Sequence, residues 1–359
     1  MVIEITPMDT LFFRDSKPFY MGEETWSDSM SLPYPSVIYG ALRSVYFANN
    51  SGEIKKANTA YDPTINLNIK SICFKIGNSI YFPLPLDCIK YKDSNEKKIH
   101  TTLKLLKKEY FFSDIPLDYI VGLDNDKKIE NILNGLIRQS NLKKYLNSHL
   151  LDPFVVKKLS DVIESEPKIG ITRSRKTLSS DESKLYRVDM KRFKENFSIV
   201  VDFEGLNLPN TGLLKLGGEG KGALYSVNKD VVPNIDFPNF NNNETYFKLV
   251  LTTPAIFKKG WIPAWIDEET LIGNINSLKL KLLSVVMGKP IYISGFDIKN
   301  RRPKPMFKAV PHGSVYYFKL LKGTFNEIKD NFHCKSISDI NNKQGFGITF
   351  VGKLNNMEN

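Results

Sequence analysis

Strand-like runs outnumber helical ones along this 359-residue chain, and the two do not alternate. The opening Val2-Ile3-Glu4-Ile5 has the period-two pattern of a strand and is closed by Pro7. A loop carrying Leu11-Phe12-Phe13-Arg14-Asp15 and the acidic, aromatic stretch 22–26 then leads past Pro33 and Pro35 to a helix over 37–46. Apolar residues recur there at helical spacing, and Ser36 is placed to cap it. Two further strands, 69–76 and 79–82, flank Gly77-Asn78, a pair that tolerates positive φ and suits a tight hairpin. The order is β-α-β-β. A doubly wound parallel sheet needs regular strand–helix alternation and is therefore disfavoured. The expected class is α+β, built from ferredoxin-like (RRM-like) β-α-β-β-α-β units.

Residues 90–195 break the pattern. They are Lys-rich, interrupted by Asn and Asp, with helical spacing at 129–137 and 153–162, and they read as an insertion ending in a basic hairpin at 170–176 and 185–190. A strand over 197–203 resumes the first unit. The Asn- and Pro-rich stretch 233–243 is the best linker. Beyond it, strands over 246–252, 291–296, 314–321 and 348–351, with a helix over 324–332, repeat the same plan. Two ferredoxin-like domains in tandem are expected, 1–236 and 237–359, the first with the large insertion.

Fifty Lys and Arg oppose 39 Asp and Glu, a formal net charge of +11. Such an excess favours polyanions without choosing among them. No apolar run reaches membrane-spanning length and the N-terminus has no signal-type segment, so a cytoplasmic protein with no membrane partner is expected. Cys73, Cys88 and Cys334 form no close pair and read as reduced thiols. His333-Cys334 lacks the second ligand pair of a zinc site, and Asp124-Asn125-Asp126 lacks the glycine and distal glutamate of a calcium loop. No metal or cofactor is expected.

The cluster Gly217-Gly218-Glu219-Gly220-Lys221-Gly222 is the strongest local signal. It lacks the Gly-Lys-Ser/Thr ending of a Walker loop, and strand-forming residues rather than a helix follow it, which removes the dinucleotide reading. Two readings remain: a loop whose N–H groups and Lys221 approach phosphates, or an ordinary long turn. Arg173, Arg175 and Lys176 fall within four positions, either following a phosphate backbone or forming a solvated hairpin tip, and Arg301, Arg302 and Lys304 suit an exposed anion-binding loop stiffened by proline. Tyr316 and Phe318 share a strand face, either as base-stacking platforms or as core. His100, His149, His312 and His333 form no catalytic constellation; His312, in a Gly/Pro loop, is the one candidate general base. The expectation is a non-enzymatic protein.

Several phrases in order carry a resemblance. They are Ile5-Thr6-Pro7-Met8-Asp9-Thr10-Leu11-Phe12-Phe13-Arg14-Asp15, Pro35-Ser36-Val37-Ile38-Tyr39-Gly40-Ala41-Leu42-Arg43 and Leu216-Gly217-Gly218-Glu219-Gly220. They continue with Thr253-Pro254-Ala255 and Gly260-Trp261-Ile262-Pro263, then Pro303-Lys304-Pro305-Met306, then residues 310–318. Together they resemble the third Cmr subunits of type III-B CRISPR effector complexes, in the RAMP superfamily, except across about 90–165. The resemblance implies a non-catalytic scaffold in antiviral defence that holds the 5′ handle of the CRISPR RNA. It also implies that the subunit joins the large polymerase-like subunit to the backbone RAMP subunit. On the matching positions it assigns Arg14, Ser36, Gly40 and Arg43 to an RNA-facing first loop and helix. Gly217 and Gly218 would form the glycine-rich loop, and Pro303, Lys304 and His312 the C-terminal basic loop. The family phrase usually has Ala where His312 stands, which speaks against catalysis there. Two rivals carry different chemistry: a metal-independent RAMP-type endoribonuclease with His312 as base, and a protein-only adaptor.

Overall fold

The computed structural model describes residues 1–14, 26–27, 30–92, 98–107, 115–123, 128–148, 154–173, 179–231, 233–241, 243–297 and 300–354. The Val2–Pro7 strand sits between Phe197–Glu204 and Gly222–Val227, antiparallel to both, and Asn68–Ile76 lies outside Phe197–Glu204. Helix α1 (Pro35–Asn49) makes the crossover from Val2–Pro7 to Asn68–Ile76. Ser79–Pro83, Gly135–Arg138 and Val156–Lys158 extend one edge of this eight-stranded sheet and Thr211–Lys215 the other.

Alternation decides what each face covers. Ile3 and Ile5 face the core under α1, with Ile38, Leu42 and Val45. Val2, Cys73, Phe82 and Val200 face the opposite way. There they meet a second sheet ordered Ile272–Ile275, Leu278–Val286, Val315–Lys322, Tyr246–Leu251, Ile348–Lys353, Lys335–Ser336. Val250, Val315, Tyr317 and Phe350 supply its side of the seam, and helix α2 (Gln139–Leu146) adds Leu142, Tyr145 and Leu146. Helix α3 (Phe325–Phe332) packs Ile328 and Phe332 on the outer face of the second sheet. Its start follows the sequence closely: Thr324 accepts from the Glu327 N–H, and the Glu327 carboxylate accepts from the Thr324 N–H, a capping box.

A buried polar cluster pins the seam. Tyr145 Oη donates to the Asp87 carboxylate at 2.8–2.9 Å, and Tyr317 Oη donates to it at 2.9 Å. Lys248 Nζ lies 3.4 Å from the centroid of the Tyr145 ring. Burial pulls the Lys248 ammonium below its ordinary pKa, with Asp87 opposing that shift. Burial, and next the neighbouring Asp87 charge, pushes the Cys88 thiol far up, so it stays protonated.

Several expectations change. The mixed, sheet-rich class holds, but no α-helix forms over 129–137, and among the described residues 154–162 only a 3-10 turn forms, Leu159–Asp161. Ile129, Ile132, Leu133, Leu136 and Ile137 have helical spacing, yet Asn134 adopts φ 53° and breaks the run. Ile129–Asn131 and Gly135–Arg138 instead pair as strands with Cys88–Lys92 and Ser79–Pro83. Elsewhere the described residues of 90–195 contribute α2, the edge strand Val156–Lys158, two small sheets and a long hairpin, Ile163–Arg173 with Ser180–Phe193. Ser36 does not cap α1: Tyr34 is the N-cap residue, without a side-chain bond, and Pro35 opens the helix. The Gly77-Asn78 turn forms as expected, with Gly77 at φ 58°.

Candidate nucleic-acid interface

Three segments meet beside the start of the first sheet. The first loop runs from buried Leu11, Phe12 and Phe13 to exposed Arg14. Gly218 N–H donates to Phe12 O at 2.8 Å, and a Cβ on Gly217, at φ 82°, would lie 2.3 Å from that same oxygen. The glycine pair is therefore a backbone-to-backbone seat for the first loop, and no side chain fits at Gly217. The long hairpin forms the other wall: Leu11 and Lys191 exchange two backbone hydrogen bonds of 2.8 Å.

Asp9 ties the three together. Its carboxylate accepts from Lys221 Nζ at 3.0 Å and from Arg192 Nη2 at 3.3 Å, while Arg192 also pairs with Glu166. The Lys221 hydrogen bond is the main reason the Asp9 carboxyl lies below its usual pKa. Lys221, expected on phosphate, thus already has a carboxylate partner. Asp9 and Arg192 were not singled out by sequence reasoning: they lie 183 positions apart, and no local pattern links them.

Along α1, Ser36, Gly40 and Arg43 fall at i, i+4 and i+7 and share one face. Gly40 is exposed, and a Cβ there would meet nothing within 4 Å. Arg43 is committed within the fold: Nε donates to Thr64 Oγ1 at 2.7 Å and Nη2 to Asp62 at 2.6 Å and Asn58 Oδ1 at 3.0 Å. Its task in the isolated chain is to hold the 58–64 turn.

The C-terminal basic segment is a two-stranded arm, Ile291–Ile293 with Phe307–Ala309, continued by Phe296–Asp297 with Arg302–Pro303. Arg301, Arg302, Pro303 and Lys304 are exposed on it. Ile293, Ala309, Tyr34, Ile256 and Phe346 pack beneath, and Tyr34 Oη donates to Tyr292 O at 2.9 Å, so the arm is fastened to the start of α1. His312 lies in the turn where Leu86 N–H donates to Gly313 O at 2.8 Å between the two halves. Burial lowers its ring to about 4, so it is neutral and weakly basic at pH 7. Tyr316 and Phe318 are core: both are fully buried against Phe257, Trp265 and Phe247. Arg173 ends its strand, with its side chain outside what is described, and Arg175 and Lys176 lie outside the described residues. Among the described residues, no group of three or more His, Cys, Asp or Glu is gathered to hold a metal, and no helix is long and apolar enough to cross a membrane.

The family model for CRISPR-associated protein (Cas_Cmr3) matches residues 3–354. The chain belongs to the Cmr3 family. It is similar to the CRISPR system CMR subunit Cmr3 of Saccharolobus solfataricus, 25% identical over 338 residues that span 91% of this chain and 89% of that one. Among solved structures it resembles a chain of the type III-B Cmr-beta complex bound to cognate target RNA and AMPPnP. That match has TM-score 0.53 and 20% identity, covering 92% of this chain and 90% of the other. A chain of the same complex bound to cognate target RNA alone gives TM-score 0.52, with the same identity and coverage. At that identity the likeness concerns the fold alone, over 92% of this chain and 90% of the other.

Proposed function

We propose that this Cmr3 family member is a non-catalytic, RNA-binding scaffold subunit of a type III-B CRISPR effector complex in the cytoplasm. It holds the 5′ handle of the CRISPR RNA and joins the large polymerase-like subunit to the backbone RAMP subunit. The observation that supports this reading is the backbone seat at Gly217-Gly218, which holds the loop that bears Arg14, together with the Tyr34 bond that fastens the arm bearing Arg301, Arg302 and Lys304 at the start of α1. Arg173, Arg175 and Lys176 are proposed as further phosphate contacts. Cations there position phosphates, while backbone and planar groups select bases.

We also read both sheets, within 1–236 and 237–359, as ferredoxin-like units. In each, the central order is fourth, first, third, second, as Gly222–Val227, Val2–Pro7, Phe197–Glu204, Asn68–Ile76 and as Ile348–Lys353, Tyr246–Leu251, Val315–Lys322, Leu278–Val286. The first keeps the first crossover helix, α1, and replaces the second with Thr211–Lys215. The second keeps α3 and replaces the first with the irregular stretch 252–271.

The test is a salt titration of RNA binding with Arg14→Glu beside wild type. With about five phosphates neutralised on a single strand, log K falls against log salt with a slope near −3.5, from roughly 0.7 per contact. The Arg14→Glu protein gives a shallower slope; a slope near zero for wild type defeats the proposal. A His312-dependent nuclease is disfavoured, because a general base works best with a pKa near the working pH and this ring titrates near 4. Repeat RNA incubated with the protein in EDTA is expected to stay intact.

A further inference from the structure

We infer that the outer face of the 291–309 arm is a stacking platform for unpaired bases, with Phe296 as its main ring and Tyr292 as a second. The inference rests on the RNA-binding reading and adds to it the residues that take the bases. Large apolar side chains on a surface segment are usually turned inward, and on this arm three are not. Tyr292 is 50% exposed, Phe296 58% and Met306 53%.

Cross-strand register explains the sidedness. Ile291 faces Ala309 and Ile293 faces Phe307, and these four pack toward Tyr34, Val37 and Ile256. Tyr292 faces Lys308, the pair between them, so both project from the opposite surface. Farther out, Phe296 faces Pro303 and Asp297 faces Arg302. Among the described residues of 289–309 the cations are Lys289, Arg301, Arg302, Lys304 and Lys308 and the one acid is Asp297, whose carboxylate already accepts from the Asn300 backbone and side chain.

Exposed rings interleaved with cations are what a single strand requires, since each base offers a π-face and each linkage a negative charge. An acidic protein surface would be served by the cations alone and would leave two rings in water. Pro303 and the Tyr34 bond stiffen the arm, so little ordering cost falls on binding. Continuity favours the same occupant as the first site, because Tyr34 sets the arm against the end of α1 that bears Ser36 and Gly40.

The experiment titrates the full-length protein with a single-stranded RNA of about eight nucleotides, within the span of such grooves, and with versions carrying an abasic site at each position in turn. Phe296→Ala is expected to weaken binding of the intact RNA about 5- to 50-fold with the salt slope unchanged, because stacking releases no counterions. Tyr292→Ala should give a smaller loss, and Phe296→Trp should retain binding. One abasic position should weaken wild type but not Phe296→Ala, the coupling that marks a direct partner. Equal abasic penalties in both proteins overturn the inference, as does a Phe296→Ala loss accompanied by a shallower slope. If Arg14→Glu weakens binding while Phe296→Ala does not, stacking fails and RNA capture stands; if neither matters, both fail. Should Phe296→Ala release a partner subunit while RNA affinity is kept, the arm is a protein dock and the inference is wrong.

Discussion

Gly40 bears a cost with no return inside the folded chain. Glycine in a helix interior is about 1 kcal/mol less favourable than alanine, and open space surrounds this one. Gly40→Ala should therefore raise stability in urea by about 0.5–1 kcal/mol while weakening RNA binding, if the bare backbone serves close approach. A variant that gains stability and keeps full affinity would remove Gly40 from the interface. Arg43 makes the opposite case: its bonds to Asp62, Thr64 and Asn58 mean that Arg43→Glu disturbs the 58–64 turn whatever it does to RNA. His312 has a pH signature. Its ring titrates near 4 when folded against 6.5 when exposed, so the unfolded chain binds the extra proton between those values. Stability is then lost as pH falls from 6.5 toward 4. His312→Leu should lessen that acid loss by about 1–2 kcal/mol, less than the full shift because the ring keeps some solvent contact, in denaturation midpoints compared at pH 7 and pH 4.5.

At the scale of elements, the seat beneath the first loop decides whether Arg14 is presented at all. Gly217→Ala brings a methyl to 2.3 Å from Phe12 O at a backbone angle alanine rarely adopts, so the loop must move. The expected cost is about 1–3 kcal/mol, with faster amide exchange at Gly218, whose N–H is bonded to Phe12 O, and weaker RNA binding. Unchanged exchange at Gly218 would show that the seat does not hold the loop. Elements whose cause is local were legible in the sequence: the Gly77 hairpin, the helix near 324–332, the alternation of Val2–Pro7. The site was legible as a set of phrases, yet its wiring was not. Asp9 meets Arg192 and Lys221 through tertiary contact alone, and Arg43, expected on an RNA-facing helix, found a carboxylate 19 residues on. The 129–137 error has the same root, because helical spacing lost to strand pairing with distant edges. Tyr316 and Phe318 alternate as a stacking strand would, but their strand is central and covered on both faces.

For the whole molecule, the polar cluster on the seam predicts that the two halves stand or fall together. Asp87→Ala leaves the Tyr145 and Tyr317 hydroxyls buried without an acceptor and Lys248 without the nearby charge that favours its ammonium. A loss of about 2–4 kcal/mol is expected, read as a lower denaturation midpoint with one transition shared by far-UV circular dichroism and by the tryptophans at 261 and 265. Two separated transitions would show independent halves.

The stretch 233–243 has the composition of a hinge, but four of its described residues, at 235, 236, 239 and 240, are held down. Ile235 is buried with its carbonyl bonded to His333 at 2.9 Å, Phe240 stacks on Phe325 at 3.8 Å, and Lys143 and Lys353 grip Asp236 and Asn239 O. A protease that nicks this crossing should find both fragments still clasped. The two halves are then not expected to bend at this crossing, whose composition alone would have suggested a joint.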